Sequence, residues 1–149
     1  MIEVKVNVVG LDKLLVKTGQ FHELLQRGPG VSVMTKLGTA AVEDVEDRFR
    51  SRGYGTWQPL SPATVARKGH DTIMVDTRTM VNSVGINVLT NDRVTVTVPY
   101  GGADKRTDIP IRHQLGQGNV PQRKIVEVTP QLLGRLTPVI KEWVSSWRT

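Results

Sequence analysis

Apolar and polar residues alternate at the head of the chain, with Val4, Val6 and Val8 on one side and Glu3, Lys5 and Asn7 on the other. A period of two is that of a strand buried on one face, so the pattern predicts an edge or hairpin strand ended by Gly10. From Leu11 the period lengthens. Leu11, Leu14, Leu15, Phe21, Leu24 and Leu25 recur at roughly helical spacing and predict a short amphipathic helix that stops at Gly28-Pro29-Gly30. A longer helix follows, with Val33, Met34, Leu37, Ala40, Ala41, Val45 and Phe49 as its apolar stripe and Glu43, Glu46, Asp47 and Arg50 opposite. Gly53 is its expected end.

The next stretch, SRGYGTWQPLSPAT, is too rich in glycine and proline to be regular, yet it carries Tyr54 and Trp57. It reads as an ordered loop pinned by Trp57. Ser61 and Pro62 make an N-cap and first helical position for a short helix through about Lys68. A further short helix is expected within residues 74–84, with Met74, Met80, Val81 and Val84 inward. Val84, Ile86 and Val88, then Asn91-Asp92, then Val94, Val96 and Val98 predict a β-hairpin.

Residues 100–108 read as an exposed loop, and IPIRHQLGQGNVPQRK continues it, its glycines and prolines breaking any regular element. Residues 100–124 are thus expected to be one flexible loop. Behind Thr129-Pro130, Leu132, Leu136, Val139, Ile140, Trp143 and Trp147 mark a closing helix that Pro138 should kink. The element order predicts an α+β fold: a single domain over residues 1–149, in which the hairpin and the N-terminal strand form a small antiparallel sheet packed against a long central helix and a C-terminal helix.

Composition narrows the class. At 149 residues the chain has room for one core and too little for a two-domain catalytic cleft. No apolar run reaches the length of a membrane span, so no membrane partner is expected, and the alternating N-terminus lacks the unbroken apolar stretch of a signal peptide. The absence of cysteine removes disulfides, thiol nucleophiles and the usual structural zinc sites. A net charge of +6 suits a polyanionic partner, but the basic residues are spread from Lys5 to Arg148 and interleaved with acids. The skew is local. Residues 101–124 hold five basic residues, Lys105, Arg106, Arg112, Arg123 and Lys124, against two acidic ones, which favours an interaction loop over a merely solvated one.

Candidate chemistry is sparse. His22, His70 and His113 lie too far apart for a local ligand pair, and no G-x-S-x-G, H-E-x-x-H or phosphate-binding glycine loop ending in G-K-S/T occurs. Gly116 to Gly118 (GQG) follows no clear strand and precedes no helix, a weak phosphate cradle. His113 as a general base has no assignable partner, and the favoured reading is a ring that hydrogen-bonds backbone and fixes a loop. The expectation is no catalytic residue, no cofactor and no metal. Trp143 and Trp147 stand four apart near the chain's last residues, where a partner subunit could cover them.

Several blocks fall into a familiar order. GTWQPLSPATVARK, IMVDTRTMVNSV, a valine hairpin ending in VPY, RHQLGQGNVPQRK and a closing helix together resemble the phage virion morphogenesis family, the Mu G-like tail completion or head-tail joining neck proteins. The matching residues are Gly55, Trp57, Pro59, Leu60 and Ser61; Asp76, Thr77, Met80 and Ser83; His113, Gln114, Leu115 and Gly116; and Pro121 and Arg123. The likeness spans residues 49–143. Arg78 stands where the family usually has glycine, and GGADKRTDIPIR separates Tyr100 from His113, which are normally close.

The resemblance implies a non-enzymatic virion protein of a tailed bacteriophage, found in the tail or neck and in host cytoplasm during assembly. Its implied partners are copies of itself in a homo-oligomeric ring, the tail tube or terminator, and head connector proteins. Such a ring joins two different faces of each subunit. Lys105, Arg106, Arg112, Arg123, Lys124, Trp143 and Trp147 are the candidate interface, with Glu43, Glu46 and Asp47 as a possible acidic counterpart. Trp57, Pro59, Leu60, His113 and Gly116 are the structural motif. The basic skew could also make non-specific contact with DNA passing through the neck. Two alternatives stay open: a basic nucleic-acid-binding module, and a small hydrolase using His113.

Overall fold

A computed structural model describes residues 3–7, 28–74, 78–98 and 109–146. Along them run β1 (Glu3–Asn7), α1 (Val31–Arg50), α2 (Pro62–Lys68), α3 (Thr79–Asn82), β2 (Gly85–Leu89), β3 (Arg93–Thr97), α4 (Ile109–Leu115) and α5 (Pro130–Ser145). The expected helix at residues 11–25 lies outside the described residues.

The valine repeats pair as their alternation requires. β3 is central in an antiparallel sheet of order β1-β3-β2, with Val4 opposite Val96 and Val6 opposite Val94. β1 is therefore an edge strand. β2 and β3 form the hairpin, closed by Thr90 N–H donating to the Arg93 carbonyl at 2.8 Å. An irregularity between Ile86 and Val88 interrupts the strict alternation.

α1 is the spine. Its stripe is buried as expected, and it joins two apolar clusters. In the first, Met34, Leu37, Ala40 and Ala41 pack on Val94 and Val96 of β3 and on Leu132 and Leu136 of α5. In the second, Val45 and Phe49 meet Trp57, Ile73, Met80, Val98 and Ile125. Side chains of this size contribute about 1.5 to 3 kcal/mol each when fully buried, so the two clusters fix the helix against the sheet. The arrangement is the expected α+β one, a small antiparallel sheet against a long central helix and a C-terminal helix.

Two expectations need correction. The short helix within residues 74–84 shrinks to Thr79–Asn82. The expected irregular loop at residues 109–124 contains α4, because Pro110 falls in the first turn, where a missing N–H costs nothing, and Gly116 falls just past the end. Past α4, two backbone hydrogen bonds tie the segment back: Arg123 N–H donates to the His113 carbonyl at 2.7 Å, and Gln117 N–H to the Arg112 carbonyl at 3.0 Å. The other face of β3 is covered as well: Thr95 and Thr97, which alternation sends away from the α1 face, are 1% and 5% exposed. Thr95 Oγ1 is buried without a hydrogen-bond partner, a cost of about 1 to 3 kcal/mol.

Candidate functional site

Segments far apart in the sequence converge around residues 121–127, which Trp57 and Gln58 reach from one side and His113 and Gln114 from another. Trp57 comes first. Its ring is 6% exposed, packs edge-on against Phe49 at 5.7 Å between centroids, and donates Nε1–H to the Lys124 carbonyl at 3.3 Å. The loop that delivers it is a left-handed turn: Arg52, Gly53, Tyr54 and Gly55 all have positive φ. The expectation of an ordered loop pinned by Trp57 holds.

Arg123 closes the same loop from the other side. It is 3% exposed, and its guanidinium donates from Nε and Nη2 to the Gln58 carbonyl at 3.1 and 2.8 Å, with the Pro59 carbonyl at 3.5 Å. Its placement among the surface interface residues is thereby corrected, since the side chain is spent on backbone carbonyls inside the fold. Burial lowers its pKa from the ordinary arginine value.

His113, on the last turn of α4, faces that guanidinium. Arg123 Nη1 lies 3.4 Å from Nδ1, and because arginine only donates, Nδ1 is the acceptor. The ring also hydrogen-bonds the Pro121 backbone. Burial first, and then the Arg123 charge, bring its pKa down from 6.5 to about 4, so the ring is neutral at pH 7. Both ring nitrogens face structural partners, in line with the loop-fixing reading.

Gln114 is the residue that sequence reasoning passed over as a motif letter. Its Oε1 accepts from Ile125 N–H at 2.8 Å and Val126 N–H at 3.1 Å, and its Nε2–H donates to the Val126 carbonyl at 2.7 Å. One side-chain amide thus stands in for a neighbouring strand. Gly116, at φ 67°, turns the chain back after α4, and a Cβ there would lie 2.9 Å from Gln122 Cβ.

A buried ion pair on α1 completes the clamp. Asp44 and Arg48 are 2% and 2% exposed and pair through Arg48 Nε and Asp44 Oδ2 at 3.1 Å. Arg48 also donates to the carbonyls of Lys124 at 3.3 Å and Glu127 at 3.0 Å. Tyr54 hydroxyl donates to Asp44 Oδ1 at 2.8 Å, and burial, then this carboxylate, raise its pKa. Lys124 itself is exposed and pairs with Glu127 at 2.7 Å; that hydrogen bond is the chief reason the Glu127 pKa is lowered.

Beside the clamp opens a cleft of about 670 Å³ between α2, α4 and the loop at residues 119–121. Leu60, Met74, Met80, Ile109 and Val120 give it an apolar lining, Arg67, Lys68 and Arg78 line it with positive charge, and His113 and Arg123 belong to its wall. No carboxylate occurs among the described lining residues. Among the described residues no group of three or more His, Cys, Asp or Glu is placed to hold a metal ion, and no helix is long and apolar enough to cross a membrane.

The remaining candidates scatter. Arg112 is exposed on α4, Trp143 is half-buried near the end of α5, and Lys105, Arg106 and Trp147 lie outside the described residues. The acidic counterpart is already occupied within the chain: Arg135 of α5 pairs with Glu43 at 3.2 Å and with Asp47, and Arg50 lies 3.0 Å from Asp47 and 4.0 Å from Glu46. Glu43 and Asp47 thus serve the α1–α5 seam, while Glu46 lies nearest Arg50 of its own helix. The fold and site define a small α+β protein with an internal polar clamp and a basic, apolar-lined cleft. No family model, curated protein or solved structure matches the chain.

Proposed function

We propose that the chain is a structural virion component of a tailed bacteriophage or prophage, acting in tail completion or head-tail joining through self-assembly at the neck. The observation that carries this reading is the backbone at Arg78. That position, where the resembled family usually has glycine, has φ 60°, a left-handed conformation that disfavours any side chain and suits glycine. Further support comes from the three-dimensional meeting of the blocks that carry the resemblance. Trp57, Pro59, Gln114 and Arg123 contact one another's segments as a scaffold, a use suited to a protein whose business is surfaces.

The hydrolase alternative is disfavoured by His113, whose ring nitrogens face Arg123 and Pro121. The test is genetic and structural together. Deleting the gene from a phage that encodes it should leave heads and tails unjoined, and labelled protein should appear at the head-proximal end of purified tails. Normal yields of infectious particles without the gene would overturn the reading. In the same system, Lys105, Arg106 and Arg112 all changed to Glu should block incorporation while the purified chain keeps its circular dichroism.

A further inference from the structure

The two buried guanidiniums of this fold are treated differently. Arg48 has Asp44 at 3.1 Å and Glu127 at 3.6 Å, so its charge is compensated inside the chain. Arg123 is as deeply buried, yet its contacts are all to neutral atoms, the carbonyl oxygens of Gln58 and Pro59 and Nδ1 of His113. Carbonyl dipoles satisfy its N–H groups and leave a full positive charge without a counter-ion in a region of poor solvation. That charge is felt next door, where it helps to hold His113 neutral.

Arg123 forms part of the wall of the cleft, and the other charged residues of its described lining are also positive. Arg67 lies in the last turn of α2, and Arg78 caps α3 from a left-handed backbone. Uncompensated positive potential on a concave wall attracts an anion more strongly than the same charges on an open surface. The floor is apolar, with Leu60, Met80 and Ile109 facing the same space. A free phosphate would leave that floor wet. A nucleic acid would want broad aromatic rings to stack on, and the described lining contains no Phe, Tyr or Trp, while its His113 ring is already held by Arg123 and Pro121.

We propose that this cleft docks a peptide segment of a partner protein, one that brings an Asp or Glu carboxylate to Arg67, Arg78 and the buried Arg123 and lays an adjacent Leu, Ile or Met on the apolar floor. Its volume of about 670 Å³ suits a few side chains and is within the usual range of ligand clefts. The inference stands on the cleft itself and does not depend on the virion role.

The probe is a random heptapeptide library displayed on yeast and selected against the purified full chain. Enriched peptides should carry Asp or Glu beside Leu, Ile or Met. The strongest, made synthetically, should shift the NMR resonances of Arg123 Nε–Hε and the Ile109 methyls and raise the His113 pKa by about one unit as its carboxylate offsets the Arg123 charge. The double variant Arg67→Gln, Arg78→Gly should weaken binding roughly tenfold or more, about 1.4 kcal/mol. Glycine at residue 78 relieves the left-handed strain, so loss of fold cannot explain that loss, and an unfolding curve of the variant checks it. An absence of enrichment, enrichment without an acidic residue, undiminished binding to the folded double variant, or inorganic phosphate producing the same shifts at the same concentration would each overturn the proposal.

Discussion

Gly53 and Trp57 offer a test of the clamp that separates packing from backbone strain. Gly53 has φ 68°, and a Cβ built on it would approach Cδ1, Nε1 and Cγ of the Trp57 ring closer than 3.0 Å. Gly53→Ala therefore has two costs: about 1 kcal/mol or slightly more for alanine in a left-handed conformation, and about 1 to 3 kcal/mol for a methyl forced into a packed ring. Trp57→Ala alone should cost about 3 to 5 kcal/mol, because it empties the space beside Phe49 and removes the donor to the Lys124 carbonyl. In the double variant the ring is gone, so the added methyl should cost only its backbone share. The cycle should thus show the pair less destabilised than the sum by about 1 to 3 kcal/mol, read from chemical denaturation midpoints at constant slope. Additivity within about 0.5 kcal/mol would mean that the ring does not lie against Gly53 and that the anchoring account of this loop is wrong.

Two further outcomes follow from the same clamp. His113 is held at about 4 in the fold against 6.5 for the free side chain, so the unfolded chain takes up this proton first. The stability tied to a neutral ring is then complete above pH 6.5 and is lost as pH falls toward 4, a loss of about 1 to 2 kcal/mol once the ring's partial exposure is allowed for. His113→Asn should flatten that part of the curve, and identical pH profiles for the two proteins between pH 7.5 and 5 would count against the neutral, Arg123-facing ring. Gln114→Ala should cost about 2 to 4 kcal/mol, since it strands two N–H groups and a carbonyl at buried Ile125 and half-buried Val126. Amide exchange at Ile125 and Val126 should then accelerate ahead of global unfolding, and unchanged exchange there would show that the side-chain amide is not their partner.

Periodicity carried the sheet and the long helices because burial repeats at fixed intervals there. The valines of β1 and β3 pair in the register their alternation implies, and the stripe of α1 is the stripe that packs. Asp44 and Arg48 were legible too, in principle. They fall between Ala41 and Phe49 on the buried face, four apart, the spacing at which an acid and a base can satisfy each other inside a core. Proline and glycine misled at residues 109–116, where counting them as breakers ignored their position: at a helix's first turn and just past its end they are boundaries. Gln114 had no readable signal. Its role exists only because α4 and the extended residues 125–126 come side by side, and nothing in the period of either segment says so.

Charge is where sequence and structure part furthest, and the parting moves the functional argument. The excess of basic residues in positions 101–124 reads as one positive surface loop when each residue counts as one exposed charge. In the fold Lys124 pairs with Glu127, and Arg123 is interior. What Arg123 withdraws from the surface it deposits in the wall of the cleft, together with Arg67 and Arg78 from segments that carried no conspicuous skew at all. The positive lining of the cleft is therefore assembled from α2, the α3 cap and the 121–127 segment, three stretches that only the fold brings together. A partner chosen by that cleft would be read by shape and an apolar floor as well as by sign, so moderate salt should weaken its binding without abolishing it, whereas contact through exposed lysines and arginines alone would be lost as the Debye length shrinks below about 8 Å.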